Sequence, residues 1–469
     1  MKARNVLCPI VAAALLVAAA WSSGSRAPRH VVFISLDTAR ADHFGFMGND
    51  SVQTPNLDAF AAESIVFTDY MTVVPTTLAS HTSLFTGKYP HHHGTPRNGF
   101  IVNGKNEMLA ELLKQAGFST AGFVGSFALD SRFDFAQGFD YYDEEFDILV
   151  GTGGAGMNQR LAEDVTDAVI RYLDERGVPD RLFLFAHYFD PHNPYTAPSP
   201  YDTLYDPEGR EGLPDAGWLA SSPLVPGRDM RWYARRQALQ YAAEITYTDH
   251  HVGRLLSDLR ERGVLDDAIV VVTSDHGENM WEHDEQFNHG ETVYQSTMHA
   301  ICVIRLPGSD AVGTRVEQLV ASIDVLPTVL ERLGLDLPDG IDGEVIPLDR
   351  TAGGFPPRVR YGEATKPAGR LEKGQRWANA LKSRCVREER LKYICIPYRH
   401  TRELYDTVAD PDERANLLAD PTPEASHRAD ELGERLDAWE VLADPLPSHF
   451  DEEQREETFE RLRSLGYLQ

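Results

Sequence analysis

The chain has 469 residues, 42% hydrophobic and 25% charged, an ordinary globular composition with ample material for a large core. Its 45 Lys and Arg face 72 Asp and Glu, a formal charge of −27. A surface of that sign repels nucleic acid and anionic membranes, which argues against a nucleic-acid partner, and an anionic substrate must be drawn in by local cations.

In chain order, Lys2 and Arg4 precede an apolar run, Val6–Trp21, and a Ser/Gly patch, Ser22–Ser25. Residues 1–25 therefore have the pattern of an export signal or, if retained, of an N-terminal anchor that is the chain's sole membrane contact. Either form places the protein in the periplasm or outside the cell. His30–Leu36 is a continuous apolar run suited to a strand buried on both faces. Thr54-Pro55 opens a helix, with Thr as N-cap and Pro at the first helical position. Ile65–Phe67 is a strand, Glu107–Ala116 an amphipathic helix stopped by Gly117, and Thr120–Val124 a strand. Leu161–Leu173 is helical and Leu182–Ala186 extended. A long helix covers Arg235–Arg262, followed by the buried strand Ala268–Thr273, a strand in His299–Arg305 and a helix over Asp324–Leu333.

This alternation predicts an α/β fold, a large mostly parallel sheet sandwiched by helices, over residues 28–346. Gly151–Gly156 and the Pro/Gly/Asp-rich Ala197–Asp229 have the texture of insertions or lids. Thr351–Arg358 is a Gly/Pro linker into a smaller C-terminal α+β subdomain, residues 355–445, with strand-like segments near Leu391–Pro397 and a charged helical tail over 446–469. In an oxidising compartment Cys385 and Cys395 pair across a hairpin or stay as thiols, with Cys302 a buried thiol.

Three buried strands end in ionisable groups: Asp37 after the first, His187 through Asp190-Pro191-His192 after the middle one, and Asp275-His276-Gly277-Glu278 after the late one. A single Asp after a strand is usually a helix cap. Three such clusters at corresponding strand ends point instead to one crevice, because open α/β sheets bind ligands outside the carboxyl ends of their strands. Carboxylates together with imidazoles suit Zn²⁺ or Mn²⁺, whereas an all-oxygen site suits Ca²⁺ or Mg²⁺.

The segment Val74-Pro75-Thr76-Thr77-Leu78-Ala79-Ser80-His81-Thr82-Ser83-Leu84-Phe85-Thr86-Gly87 then resembles the signature of the sulfatase branch of the alkaline phosphatase superfamily. That signature, Cys/Ser-x-Pro-x-Arg running into Leu-x-Thr-Gly, starts a helix. Counting back from Thr86-Gly87 aligns Thr77 with the nucleophile, Ala79 with the Pro and His81 with the Arg. The resemblance extends over Asp37, Asp190-Pro191-His192, Ser274-Asp275-His276-Gly277, Ile323–Thr328, Glu403–Asp406 and Asp410-Pro411.

The departures matter as much as the matches. Sulfatases convert the Cys or Ser to formylglycine, an aldehyde that the β-methyl of Thr77 precludes. Thr38 also breaks the Asp-Asp pair after the first strand. The resemblance therefore implies a hydrolase with an unmodified Thr77 as nucleophile, similar to nucleotide pyrophosphatase/phosphodiesterases and to envelope phosphoglycerol and phosphoethanolamine transferases. It implies a divalent metal held by Asp37, Asp275, His276 and the Thr77 oxygen. His192 or His187 is expected to protonate the leaving alcohol. Asn98 is the oxyanion donor by analogy with the phosphodiesterases, with Arg97, His81, His289 and Lys382 as further substrate contacts and Lys392 beside Lys382 at the rim. Asp190, His192, His283 and His289 form a second-metal set as in two-metal relatives.

His91–His93 reads as a solvated loop in preference to a metal patch, and Tyr247 and Asp249 as structural. The functions weighed are phosphate mono- or diester hydrolysis through Thr77, sulfuric ester hydrolysis without formylglycine, phosphotransfer to envelope lipids or glycans, and a non-catalytic binding module. The substrate is a small-molecule or a glycan- or lipid-derived anionic ester.

Overall fold

A computed structural model of the chain describes residues 28–146, 148–150, 156–158, 160–209, 211, 213, 229–284, 287–308, 313–348, 354–365 and 381–447. The export segment, most of both expected lids and nearly all of the 446–469 tail lie outside these residues.

The strands are β1 (His30–Leu36), β2 (Ile65–Phe67), β3 (Tyr70–Met71), β4 (Ser119–Val124), β5 (Tyr141–Asp143), β6 (Ile148–Val150), β7 (Gly156–Asn158), β8 (Leu182–Tyr188), β9 (Ala268–Ser274), β10 (Cys302–Arg305), β11 (Thr314–Val316), β12 (Val320–Ala321), β13 (Val359–Glu363), β14 (Arg384–Glu388), β15 (Leu391–Ile396) and β16 (Thr401–Asp406). The helices are α1 (Pro55–Ala62), α2 (Thr77–Thr86), α3 (Pro90–His93), α4 (Leu109–Gln115), α5 (Ala162–Arg176), α6 (Met230–Glu261), α7 (Gln295–Met298), α8 (Val325–Arg332) and α9 (Pro423–Val441).

Eight strands form the main sheet in the order β11-β2-β10-β9-β1-β8-β4-β5, with β10 alone reversed. Along β1 the pleat sends Val31 and Phe33 into one core with α2, α4 and α8, and Val32, Ile34 and Leu36 into the other with α1, α5 and α6. That double burial explains why β1, β8 and β9 are apolar without alternation. Leu36 pairs with both Tyr188 and Ser274, so these three central strands end at one level. The expected α/β sandwich is therefore the fold.

A second, antiparallel sheet runs β13-β14-β15-β16 and carries α9 on one face. Sequence periodicity did not reveal α9, because only a narrow stripe of it, Ala429, Leu432, Leu436 and Trp439, is buried. Those residues pack with Val73, Val74 and Ala79, so the small sheet is anchored to the chain entering α2. Bidentate pairing of Arg360 with Asp324, at 2.9 Å for the closer contact, fastens β13 to the turn before α8.

Two expectations are corrected, and the choice left open for the cysteines is decided. Cys385 pairs in register with Ile394 and Cys395 with Arg384, so the two cysteines face opposite sides of the hairpin and remain free thiols. The His91–His93 run is a turn of helix, α3, with His91 and His93 buried, and burial of His91 pushes its imidazole down to about 3. Lys392 is at no rim: its Nζ sits 2.9 Å from Glu413 Oε1 with both side chains fully buried.

Asp249 on α6 is structural in a definable way. Its carboxylate caps α1, accepting from Leu57 N at 2.8 Å, Asn56 Nδ2 at 2.8 Å and Asn56 N at 3.1 Å. Asp249→Ala strips buried donors of their acceptor and is expected to cost about 2–4 kcal/mol, with Asp249→Asn intermediate, in urea unfolding followed by circular dichroism. An unchanged midpoint for Asp249→Ala would show that the cap contributes nothing.

Candidate active site

The common level of the β1, β8 and β9 ends places Asp37, His187 and Asp275-His276 around one point. The Asp37 carboxyl follows β1 directly and is fully buried. Its Oδ2 lies 3.5 Å from His187 Nε2, and its Oδ1 lies 3.9 Å from His276 Nε2. Asp275 Oδ1 accepts from the backbone amides of Thr38 at 3.1 Å and His276 at 2.8 Å, leaving Oδ2 buried with no hydrogen-bond partner. His276 Nδ1 donates to Gly277 O at 2.9 Å, which fixes the tautomer and leaves the Nε2 lone pair turned towards Asp275 Oδ2 at 3.4 Å. Gly277 is required here because a Cβ would stand 2.1 Å from Ser296 O.

One ligand atom from each of Asp37, Asp275 and His276 lies within 4.8 Å of the others, all three side chains being buried. Burial, then the charges of Asp275 and Glu278, push the Asp37 carboxyl well above the usual carboxylate range, the nearby Thr77 hydroxyl and Thr38 amide opposing in part, and both Asp37 oxygens are buried with no hydrogen-bond partner. Two buried carboxylates within 4.8 Å of each other, an orphaned carboxylate oxygen and an imidazole nitrogen facing them fit a divalent cation. His81, His187 and Asp275 make a second close group. There, however, both His81 nitrogens are engaged: Nδ1–H donates to Thr77 O and Nε2 accepts from the Ser35 hydroxyl, each at 2.8 Å.

The helix α2 delivers Thr77 at its first position, after Thr76 in extended conformation (φ −156°, ψ 132°). Gly87 stops the helix at φ +66°, its amide donating to Ser83 O, and all ten helical residues are buried. The first turn is bolted to the strand ends: Ser80 Oγ donates to Asp275 O at 2.7 Å, and His81 holds both Thr77 O and Ser35. His81 thus supports the helix from within, and burial keeps its ring neutral. Asn98 Oδ1 accepts from Leu78 N at 2.7 Å, and its Nδ2 is buried with no hydrogen-bond partner, a donor on offer beside Thr77. Arg97 is buried over Phe100, with Nη1 donating to Asn98 O at 3.2 Å.

His192 and His289 come together with His276, with His289 centred 4.6 Å from the His276 ring and 5.2 Å from the His192 ring. Nδ1 of His192 donates to Asn193 O at 2.6 Å, and burial pushes this imidazole down to about 3. An anionic substrate beside it opposes that shift. His187 is deeper, behind Asp37, and burial holds it well below its ordinary value.

The other members of the second-metal set lie elsewhere. Asp190 Oδ2 accepts from Ala162 N at 2.7 Å, capping α5, and burial raises its carboxyl to about 7. His283 stacks on Tyr294 at 3.7 Å and donates to Asp412 O. Lys382 is spent on Glu363, Nζ–Oε2 2.6 Å, both buried.

Sequence reasoning passed over three contributors. Thr38 counted only as a lost ligand, yet it holds φ +53°, its amide grips Asp275, and its hydroxyl is buried with no hydrogen-bond partner. Glu278 accepts from Tyr195 Oη at 3.4 Å and faces His289 Nδ1 at 3.3 Å. The Asp-His-Gly-Glu run was the signal for Glu278, whereas nothing in the sequence marks Tyr195.

Comparison with known proteins gives the family and the fold. The family model described as Sulfatase matches residues 29–335. The chain is 29% identical over 422 residues to an ulvan-active sulfatase of Formosa agariphila, covering 84% of this chain and 77% of that one. It is 25% identical over 515 residues to the multifunctional alkaline phosphatase superfamily protein PehA of Trinickia caryophylli, covering 90% and 97%. Among solved structures, the phosphonate monoester hydrolase SpPMH of Silicibacter pomeroyi superposes with a TM-score of 0.72 at 23% identity, over 88% of this chain and 96% of that one.

Asp37→Asn and Asp275→Asn are each expected to lower bound divalent metal, read by elemental mass spectrometry per protein, by at least about 10-fold. Asp190→Asn and His283→Gln should keep the parent content, as their side chains face other partners. Full occupancy in both Asn variants of the first pair would remove the assignment.

Proposed function

Because the chain belongs to the sulfatase family and so is an ester hydrolase, we propose that it cleaves phosphate esters, diesters foremost, through a covalent intermediate on Thr77. The observation that carries this reading is the residue at the head of α2: a buried secondary hydroxyl, close to the Asp37 carboxyl, that cannot become formylglycine. A free Thr hydroxyl has a tetrahedral phosphorus within its chemistry, and the first turn of α2 adds a positive dipole end for the ester's oxygens.

The steps assign a task to each side chain. Thr77 Oγ loses its proton to solvent and attacks phosphorus in line with the departing alcohol. Asn98 Nδ2 donates to a non-bridging oxygen. His192 takes up a proton at Nε2 when the anionic ester lies beside it and delivers that proton to the leaving oxygen, Nδ1 being fixed on Asn193 O. Water then attacks the phospho-threonine and frees Thr77. A divalent cation held by Asp37, Asp275 and His276 beside the Thr77 oxygen, Zn²⁺ or Mn²⁺ by its mixed donors, supplies the Lewis acidity that makes the hydroxyl nucleophilic and offsets the ester's charge.

Hydrolysis of sulfuric esters by the same Thr77 is the second reading, favoured by the sulfatase names of the relatives. Transfer to an alcohol acceptor in place of water is a third, distinguished by its product. Export from the cytoplasm belongs to this proposal, on the charged start and apolar run of residues 1–25.

Thr77→Ala is expected to lower turnover of bis-aryl phosphate at least about 10³-fold while keeping its metal, and Thr77→Ser to retain measurable activity. Assayed with Zn²⁺ or Mn²⁺ added, the parent should prefer aryl phosphate diesters or phosphonate monoesters to aryl sulfate. Quenched turnover should leave a phosphate adduct on the peptide containing Thr77. Wild-type rates in Thr77→Ala, or a preference for aryl sulfate, would overturn the reading. N-terminal sequencing of exported protein should begin after Ala20 or within the next few residues; an intact Met1 would identify an anchor instead.

A further inference from the structure

Three segments remote in the chain meet where Thr76, Gly290 and Thr365 touch. Thr76 Oγ1 lies 2.8 Å from Thr365 Oγ1, and Gly290 O accepts from Thr365 N at 2.9 Å and from Thr365 Oγ1 at 3.3 Å. A hydroxyl has one proton, so with that of Thr365 directed to Gly290 O, Thr365 accepts from Thr76. All three residues are buried, so a bond lost here leaves polar atoms unsatisfied. Gly290 holds φ +87°, and a Cβ there would stand 2.8 Å from Thr365 Oγ1 and 3.4 Å from Thr76 Oγ1.

Each of the other two contacts lies one residue from a group of the site. Thr76 occupies the N-cap position of α2, where a threonine hydroxyl ordinarily accepts from a first-turn amide. Here it makes no cap and is spent on Thr365, while Thr76 O starts the helix by accepting from Ser80 N at 2.8 Å. Thr77 comes next. Gly290 follows His289, whose ring is centred 4.6 Å from that of His276. On the near side of His289, Asn288 pairs with Asn279 through backbone and side chain, at 2.9 and 3.0 Å. On the far side, Gly290 hangs from Thr365 and Glu291 O accepts from Ser383 Oγ at 3.3 Å. Thr365 follows β13 and Ser383 precedes β14, and the two segments are joined by Ala364 N donating to Ser383 O at 2.8 Å.

We propose that Thr365 is a positioning residue for ester hydrolysis, acting through Thr76 and Gly290 to hold the nucleophile at the head of α2 in register with the His289 turn. Both members of the hydroxyl bridge are short β-branched side chains, stiff at χ1, so the bridge transmits position with little slack. A displacement of about 1 Å at a reacting group costs on the order of 10²-fold in rate. The inference rests on the Thr77 reading and adds to that site a residue of the C-terminal sheet that touches neither metal ligand nor nucleophile.

The test uses the full-length, metal-loaded protein and the aryl ester that the parent turns over fastest. Thr365→Val keeps the shape and the amide bond to Gly290 O but removes the hydroxyl. It is expected to lower kcat at least about 10-fold with KM within about 3-fold, because the loss falls on bond-making more than on binding. Bound metal and the circular-dichroism spectrum should match the parent, and Thr365→Ser should recover most of the kcat. Thr76→Val should be similarly slow, and the double Val variant no slower than the worse single one, as for two ends of one bridge. Parent kcat in Thr365→Val overturns the assignment, as does a Ser variant as slow as the Val one. Losses that multiply in the double variant, or that track a loss of metal or fold, overturn it too. With Thr77→Ala inactive and Thr365→Val at the parent rate, the Thr365 assignment alone fails. With Thr77→Ala at the parent rate, the Thr77 reading fails and takes this one with it.

Discussion

Two carboxylates, Asp37 and Asp275, are buried in mutual reach at the ends of adjacent parallel strands, and much of the surrounding structure answers that repulsion. Unit charges of one sign about 4 Å apart repel by about 4 kcal/mol at the effective dielectric of a protein. The Thr38 and His276 amides and the Thr77 hydroxyl each oppose part of it. What they leave is an orphaned Asp275 oxygen and an Asp37 carboxyl pushed towards protonation. A divalent cation reverses both conditions at once, which is why this anionic cluster makes sense as a centre of chemistry and little sense as packing.

The same constraint explains the placement of α2. A nucleophile has to be held beside the carboxylates without adding another charge, and a threonine at a helix N-terminus meets that condition. The helix is buried along its whole length and pinned by Ser80 and His81 to the ends of β9 and β1. From the other side the C-terminal sheet clamps its entry: Thr365 bonds to Thr76 at 2.8 Å, Glu363 N donates to Val73 O, and Trp439 and Leu432 pack in the cluster that holds Val73 and Val74. The small sheet therefore positions the nucleophile. The Lys382–Glu363 and Lys392–Glu413 pairs are buried and brace the small sheet.

Charge is partitioned to match. The surface is strongly negative, and His81, His187 and His192 are kept neutral by burial. An anion approaching such a molecule is repelled by most of its surface and held where cations are concentrated, so the local field selects substrates as well as the pocket walls do.

The sequence by itself determined the parallel sheet, because unbroken apolar runs such as His30–Leu36 and Ala268–Ser274 can only be strands covered on both faces. It also determined the set of groups at the strand ends, since Asp37, His187 and Asp275-His276 follow directly from where those runs stop, and its resemblance to the sulfatase signature marked Thr77. Only the tertiary structure decided which histidines and lysines join them. His192 and His289 converge on His276, whereas His283, Asp190 and Lys382 find partners on Tyr294, at the start of α5 and on Glu363. Spacing along the chain does not encode those choices, because each depends on loop residues whose direction is set by contacts far away in sequence. The opposite-face cysteines turn on one residue of register, α9 on a stripe too narrow to read, and Thr38 on a backbone angle that no residue name announces.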